Sequence, residues 1–442
     1  MNAKRGAASL LLGVLLAACA GTPATPTPVG SLSPVPITTP GPTAIPALPN
    51  ASPVASPAAS TAQTPVPTPA STAAPRPRPT VAPTPSSCAK PKVHVVVSGD
   101  TLWDIARQYG VTLQALLAAN PQITDRSLIR VGEEVTISPI DLGTLGGDGS
   151  VAHAINNRGQ VVGGGEMASR YYHAFLWQDG VMTDLGTLEG DDSSGATAIN
   201  DHGQVVGWSV GPSGQVRAFL WEAGVMTDLG SLGWDKPMPT AINNRGQVVG
   251  VSYMPGGFPR AFLWQDGVMT DLGLPEGARS SSASDINDRG QIVGESLYGS
   301  LFHAVLWQDG VLTDLGTLGG TGTLVGTGAS AVAINERGVI LGVSESASRA
   351  LHPVLWQDGV LTDLGTLTNS RTSANGLNEQ GQVIGATQTA VLFDDGAMID
   401  LGMLEGYGLG SAKAINDCGQ VVGSLWGIDI DDAPERAVMW TR

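Results

Sequence analysis

The chain has 442 residues, 59 of them Gly and 30 Pro, with 14% charged and a formal net charge of -16. Residues 1–138 carry 9 Lys/Arg against 5 Asp/Glu, whereas residues 139–442 carry 14 against 34. So acidic a main region excludes a nucleic-acid-binding role, which needs clustered basic side chains. The three cysteines, Cys19, Cys88 and Cys418, are too few for a disulfide framework and lack metal-ligand spacing.

In chain order, the first element is a targeting segment. Lys4 and Arg5 form a positive start, and Ala7 to Ala18 form an apolar run too short to span a bilayer. The run ends in Leu16-Ala17-Ala18-Cys19, which resembles the lipobox of bacterial lipoproteins. The resemblance implies cleavage before Cys19, acylation of Cys19, and a lipid anchor holding the exported chain at the outer face of the membrane. Residues 1–18 are then the signal peptide. Residues 19–87 read as anchor and tether, rich in Pro, Thr, Ser and Ala with no apolar periodicity. Such a segment cannot bury enough surface to offset its ordering entropy. Extended, it reaches about 200 Å.

Residues 88–138 form the next unit. A β-branched strand runs to Val97, Asp100 or Thr101 caps a helix with Leu102, Ile105 and Ala106 on one face, and Thr112 caps a second. Asn120-Pro121 stops that helix, and Val135 to Ile137 close the unit as a strand. Ser98-Gly99-Asp100-Thr101-Leu102, Ile105-Ala106, Leu116, Asn120-Pro121 and Leu128 through Gly132 make the segment similar to a LysM module. The resemblance implies a small α+β domain (βααβ) that binds N-acetylglucosamine-containing glycans, in bacteria mostly peptidoglycan. It places Gly99, Asp100, Thr101 and Leu102 on one wall of a shallow groove, and Asn120, Pro121, Ile123, Leu128, Ile129 and Arg130 on the other. His94 stands where that family commonly has Tyr, on the strand rather than in the groove. Asp100, Thr101 and Asn120 also serve as ordinary helix caps.

From residue 139 to 442 the chain repeats every 43 or so residues. An Ile-Asn-x-x-Gly-Gln-Val-Val-Gly element places Asn at 156, 200, 243, 287, 335, 378 and 416. An Ala-Phe-Leu-Trp element ends at Trp177, Trp221, Trp264, Trp307, Trp356, Phe393 and Trp440. A third, Gly-Val-Met-Thr-Asp-Leu-Gly, places Asp at 141, 184, 228, 271, 314, 363 and 400. Each unit offers four short strands joined by turn residues, the size of a propeller blade. The array opens on a lone fourth strand at Asp141 and ends on a third strand at Trp440. A ring joins these two fragments into one blade and removes both exposed edges. A seven-bladed β-propeller is therefore predicted, with an open β-solenoid as the alternative. The repeats also resemble the HAF family of extracellular repeats (His173-Ala174-Phe175), a resemblance that implies no particular chemistry.

Catalysis finds little footing here, because a sevenfold scaffold repeats what a reaction needs once. The Trp series is expected to pack between blades, and the Asn and Asp series to satisfy turn amides, with calcium ligation or a sugar platform as alternatives. His173, His303 and His352 share a position with Arg217, Arg260 and Arg436, which suits a solvated strand edge. Cys418 is expected to be a free thiol in a turn, with a bond to Cys88 as the alternative. No cofactor or metal is called for. The reading is a non-enzymatic, lipid-anchored envelope protein that binds peptidoglycan through the LysM module and presents the propeller as an interaction platform. A polysaccharide-degrading propeller is the competing reading, with Asp191, Asp192, Glu276 and Glu295 as its candidate carboxylates; a purely structural spacer is a third.

Overall fold

The computed structural model describes residues 91–442, apart from 234–235, 254–257, 320–327, 366–372, 428–433 and 442. The targeting segment with Cys19, and the tether to residue 87, lie outside the described residues.

The first unit has the expected order: β1 (Val93–Val95), α1 (Leu102–Tyr109), α2 (Leu113–Ala118) and β2 (Glu134–Thr136), with the two strands paired antiparallel. Both helices start where the sequence places a hydroxyl. Thr101 accepts from the Asp104 amide and Thr112 from the Ala115 amide, satisfying donors that a helix start leaves open. Gly110 ends α1 in the left-handed conformation. Leu102, Ile105, Ala106, Leu116 and Val135 form the buried interior.

The remainder is a ring of seven four-stranded antiparallel sheets, as the repeats require. Blade 1 holds β4 (Gly146–Ile155), β5 (Val161–Met167), β6 (Tyr172–Gln178) and β7 (Val181–Gly186). Blades 2 to 6 follow over residues 193–228, 238–271, 280–314, 329–363 and 373–400. Blade 7 is built from both ends of the array: β28 (Tyr407–Ile415), β29 (Val421–Gly427) and β30 (Arg436–Trp440) are completed by β3 (Ile140–Asp141). Its register is Ile140 with Met439 and Asp141 with Val438. The ring is therefore closed, and the open solenoid is set aside.

Two sequence signatures explain the blade. In every blade the register between first and second strand shifts by one residue, as at Ala196/Ala198. The glycine of Val-Val-Gly faces that bulge. A Cβ at Gly207 would overlap the carbonyl of Gly195, and one at Gly163 the carbonyl of Val151, so no larger residue fits this approach. The Trp series fills the seams between blades. Trp177 packs with Phe175 and Ile155 of blade 1 and with Val422, Ala437 and Met439 of blade 7. Trp307 and Trp356 occupy equivalent clusters, which is packing rather than a sugar platform.

The LysM-like unit is docked on blades 6 and 7. One hydrophobic core contains Val111 and Leu116 from the unit, Leu392, Leu401 and Leu404 from the blade 6 region, and Trp440 from blade 7. Val111 bridges Leu404. The Thr112 amide donates to Met403 O at 3.1 Å, the Glu405 amide to Gly110 O at 2.8 Å, and the Thr441 amide to Ser138 Oγ at 3.0 Å.

Candidate functional site

The two walls expected of the groove are loops that the sheet brings together. The Gly132 amide donates to Val96 O at 2.8 Å and the Val96 amide to Glu133 O at 2.9 Å, which locks residues 97–101 beside residues 128–132. Asp100 holds the first wall, accepting from the Val97 amide at 2.7 Å and from His94 Nε2 at 2.9 Å. The His94 hydrogen bond, followed by the Val97 amide, keeps its carboxyl below the ordinary carboxylate range. On the second wall Asp125 accepts from the Ser127 hydroxyl and amide, which hold its carboxyl low as well. The Arg130 amide donates to Glu133 Oε2 at 2.9 Å.

The ten sequence-predicted glycan residues divide into two sets. Gly99, Thr101, Pro121, Leu128 and Arg130 are exposed, and Asp100, Ile123 and Ile129 are partly so. Leu102 and Asn120 are buried. Asn120 Nδ2 donates to Leu116 O and Thr136 O, and its Oδ1 accepts from the Thr136 amide. Its side chain thus ties the second wall to β2, while the first eight supply the accessible surface. His94, placed off the groove by its strand position, reaches the wall through Asp100. The missing signal was distance along the chain, because a strand-to-loop contact has no local spacing. Exposed Val97 and Val131 flank the same two loops.

None of the residues named for the groove contacts the propeller through a described hydrogen bond; the docking uses Gly110, Val111, Thr112, Gln114 and Ser138. The loops named for the groove and the residues used for docking therefore lie apart on the small unit.

The second candidate surface is one mouth of the propeller channel, a cavity of about 260 Å³. Each repeat Asn does the turn work expected of it. Asn200 Oδ1 accepts from the His202 and Gln204 amides, and Nδ2 donates to Gln204 Oε1 and across the seam to Asn243 O. The cross-seam bond recurs in every blade and returns from Asn416 to Asn156 O at 3.0 Å. The next residues, Asn157, Asp201, Asn244, Asp288, Glu336, Glu379 and Asp417, form a second ring in which each amide donates to the next side chain. Asn157 donates to carboxylates on both sides, Asp201 and Asp417. Asp285 also lines the mouth, at a bulge position where other blades carry Ala or Gly. Burial, opposed by hydrogen bonds from the Ile334 and Ile286 amides and aided by Glu336, raises its carboxyl to about 6. Burial also raises Glu336.

The candidate carboxylates of the enzymatic reading do not meet. Asp191 is paired with Arg217 at 3.0 Å in blade 2. Glu295 is half-buried between blades 4 and 5, its carboxyl raised by desolvation and hydrogen-bonded to Ser330 and Ser282. The Asp192 amide is engaged by Val210 O, and Glu276 sits in the turn closed by Pro275 and Ala278. Gly207-Trp208-Ser209-Val210-Gly211 has the spacing of a nucleophile elbow, a match that sequence reasoning passes over. Ser209 lies within a blade 2 strand, fully buried, accepting from the Leu188 amide, so it presents no nucleophile. No group of three or more His, Cys, Asp or Glu side chains among the described residues converges on a metal-sized site.

The interchangeable His and Arg prove to be paired. His173, His303 and His352 reach Asp184, Asp314 and Asp363 at 2.9, 2.6 and 2.8 Å, and Arg260 reaches Asp271 at 2.7 Å. The same Asp accepts from the glycine amide two residues on, as Asp184 does from Gly186. At this edge each of these residues thus has a carboxylate partner eleven residues on, through a hydrogen bond for His and an ion pair for Arg260. Cys418 is also corrected: it is disulfide-bonded, while Cys19 and Cys88 lie outside the described residues.

Comparison with known proteins bears on the first site. The family model for the LysM domain matches residues 94–138. Over 47 residues the chain is 43% identical to the secreted LysM effector ECP6 of Passalora fulva, covering 11% of this chain and 21% of that protein. Over 46 residues it is 41% identical to the spore coat assembly protein ExsA of Bacillus cereus, covering 10% of this chain and 7% of that one. The chain thus spans about a fifth or less of these relatives. Among solved structures, an oligogalacturonate lyase from Vibrio parahaemolyticus aligns over 70% of this chain and 93% of its own at 10% identity, with a TM-score of 0.45. That likeness is too distant to inform activity, and the propeller is read from its own strand order. No helix among the described residues is long and apolar enough to cross a membrane. Residues 94–138 are a LysM domain, and the chain continues from it into a seven-bladed β-propeller.

Proposed function

We propose that this protein is a non-enzymatic lipoprotein of the bacterial cell envelope that binds peptidoglycan, or a related N-acetylglucosamine-containing glycan, through its LysM domain. The lipid anchor is Cys19, and residues 19–87 are the tether. The propeller, built of HAF-type repeats, is the platform for a further partner, with the acidic channel mouth as its most distinctive surface. The observation that supports the reading is the division of the LysM surface: eight of the ten residues proposed for glycan binding are exposed or partly exposed, while other residues of the domain are committed to the propeller. A shallow groove with apolar Leu128 and Ile129 beside backbone amides suits the mixed apolar and hydroxylated surface of a sugar.

Co-sedimentation with purified insoluble peptidoglycan, competed by N-acetylglucosamine oligomers, tests this. Leu128 is 57% exposed, so Leu128→Asp leaves the domain folded. The variant is expected to lose at least about tenfold in affinity, or 1.4 kcal/mol. Binding that resists both the oligomers and this substitution would move the wall-binding surface to the propeller. No binding by the unaltered protein would eliminate peptidoglycan as the ligand.

A further inference from the structure

We propose that the LysM domain is the clasp that keeps the propeller ring shut, so that its docking face completes blade 7. The closing strand β3 pairs only two residues with β30. Fourth strands elsewhere pair at least four, as in blade 2, where Phe219 to Glu222 meet Asp228 to Val225. The missing pairs fall at Trp440 and Thr441. In blades 1 to 6 the aromatic at this place faces Met or Leu of the fourth strand, for example Trp221 with Met226 and Trp356 with Leu361. In blade 7 the register brings the chain leaving the LysM domain, Ser138 and Pro139, to that position, and proline has no amide to donate.

The LysM domain supplies substitutes. Ser138 Oγ accepts from the Thr441 amide in place of a backbone partner. Trp440 is 1% exposed, shares a core with Val111, Leu116 and Leu404, and donates from Nε1 to Gly402 O at 3.0 Å. The loop that carries Gly402 is itself held by Gly110 and Thr112. A short closure with a free neighbour would fray at this seam, because the last pairs of a strand open most readily. Docking removes the free end.

Gly402 provides a controlled test. A Cβ there would overlap Cα and Cβ of Ala115 in α2. Gly316 occupies the same turn of blade 4 with the same φ of 76°, and a Cβ there meets nothing. Gly316→Ala therefore carries the backbone strain alone, and Gly402→Ala carries strain plus a wedge in the docking face. Both are made in the full-length chain and followed by amide hydrogen exchange. Gly402→Ala is expected to speed exchange of the Leu142 and Thr441 amides, which bond Ala437 O and Ser138 Oγ, at least tenfold over Gly316→Ala. Faster exchange confined to the LysM helices, with Leu142 unchanged, would overturn the clasp. Should Gly402→Ala fail to fold, Ser138→Ala removes only the Thr441 acceptor; Leu142 is then expected to exchange faster than in the unaltered chain, and unchanged exchange would overturn the proposal equally.

Discussion

Asp285 is the residue whose replacement should change how stability depends on pH. Its carboxyl sits at the bulge of blade 4, accepting from the Ile286 amide at 2.8 Å and, across the seam, from the Ile334 amide at 2.9 Å. Burial outweighs these donors and Glu336 adds repulsion, so the group titrates near 6 rather than its ordinary 3.8. A raised carboxyl means that the folded state holds a proton the unfolded state has released. Its contribution is therefore present in full below about pH 4 and is lost as pH rises through 6. A displacement of about two units corresponds to roughly 3 kcal/mol. Asp285→Ala restores the residue found in most other blades and removes this slope. It also leaves two amides without their acceptor, a pH-independent loss of about 1–3 kcal/mol. Urea unfolding of both proteins from pH 4 to 7.5 separates the effects. The variant is expected to start less stable and to gain between about 2 and 3 kcal/mol on the unaltered protein by pH 7.5. Curves that stay parallel across that range would refute the buried-carboxylate argument.

Other outcomes follow from the same geometry. Asn200→Ala strips four hydrogen bonds from a buried turn and seam, and should cost about 2–4 kcal/mol in urea unfolding; a loss below about 1 kcal/mol would show that water replaces the amide. His173→Arg copies the pairing of Arg260 with Asp271 and should shift stability by no more than about 0.5 kcal/mol, read from the same assay. If Cys19 is acylated as proposed, its thiol is consumed, and non-reducing peptide mapping of the full-length protein is expected to join the Cys418 peptide to that of Cys88. A Cys418 peptide running free under those conditions would contradict the disulfide.

Much of the architecture is legible because the sequence states it seven times. The Asn, Trp and Asp series fix the strands, and the stray strands at Asp141 and Trp440 announce the closure. The two loops proposed as groove walls are placed by Gly99-Asp100-Thr101 and Leu128 to Arg130, whose backbone roles tie residue type to place. What escapes is set by contacts without periodicity. The docking face uses Ala115, Gly402 and Val111, residues whose types signal nothing until a second surface meets them. The His and Arg partners lie eleven residues away across a hairpin, so the Asp series looked fully employed at its turns. Asp285 stands out only once its repeat column is known to face a seam, where a carboxylate replaces methyl groups. Leu102 and Asn120 share the groove's sequence motif, yet one is core and the other a brace.

The circuit of asparagines has a bearing on how such a protein can change through time. Seven amides pass a bond in one rotational direction and return to the first. Near-identical tandem copies invite unequal recombination, which adds or deletes whole copies of the coding segment. A chain with six or eight copies keeps every local signal for strand and turn, but must close a hoop of different curvature through the same interlocks. The hoop thus couples the number of copies to the geometry of the closed ring.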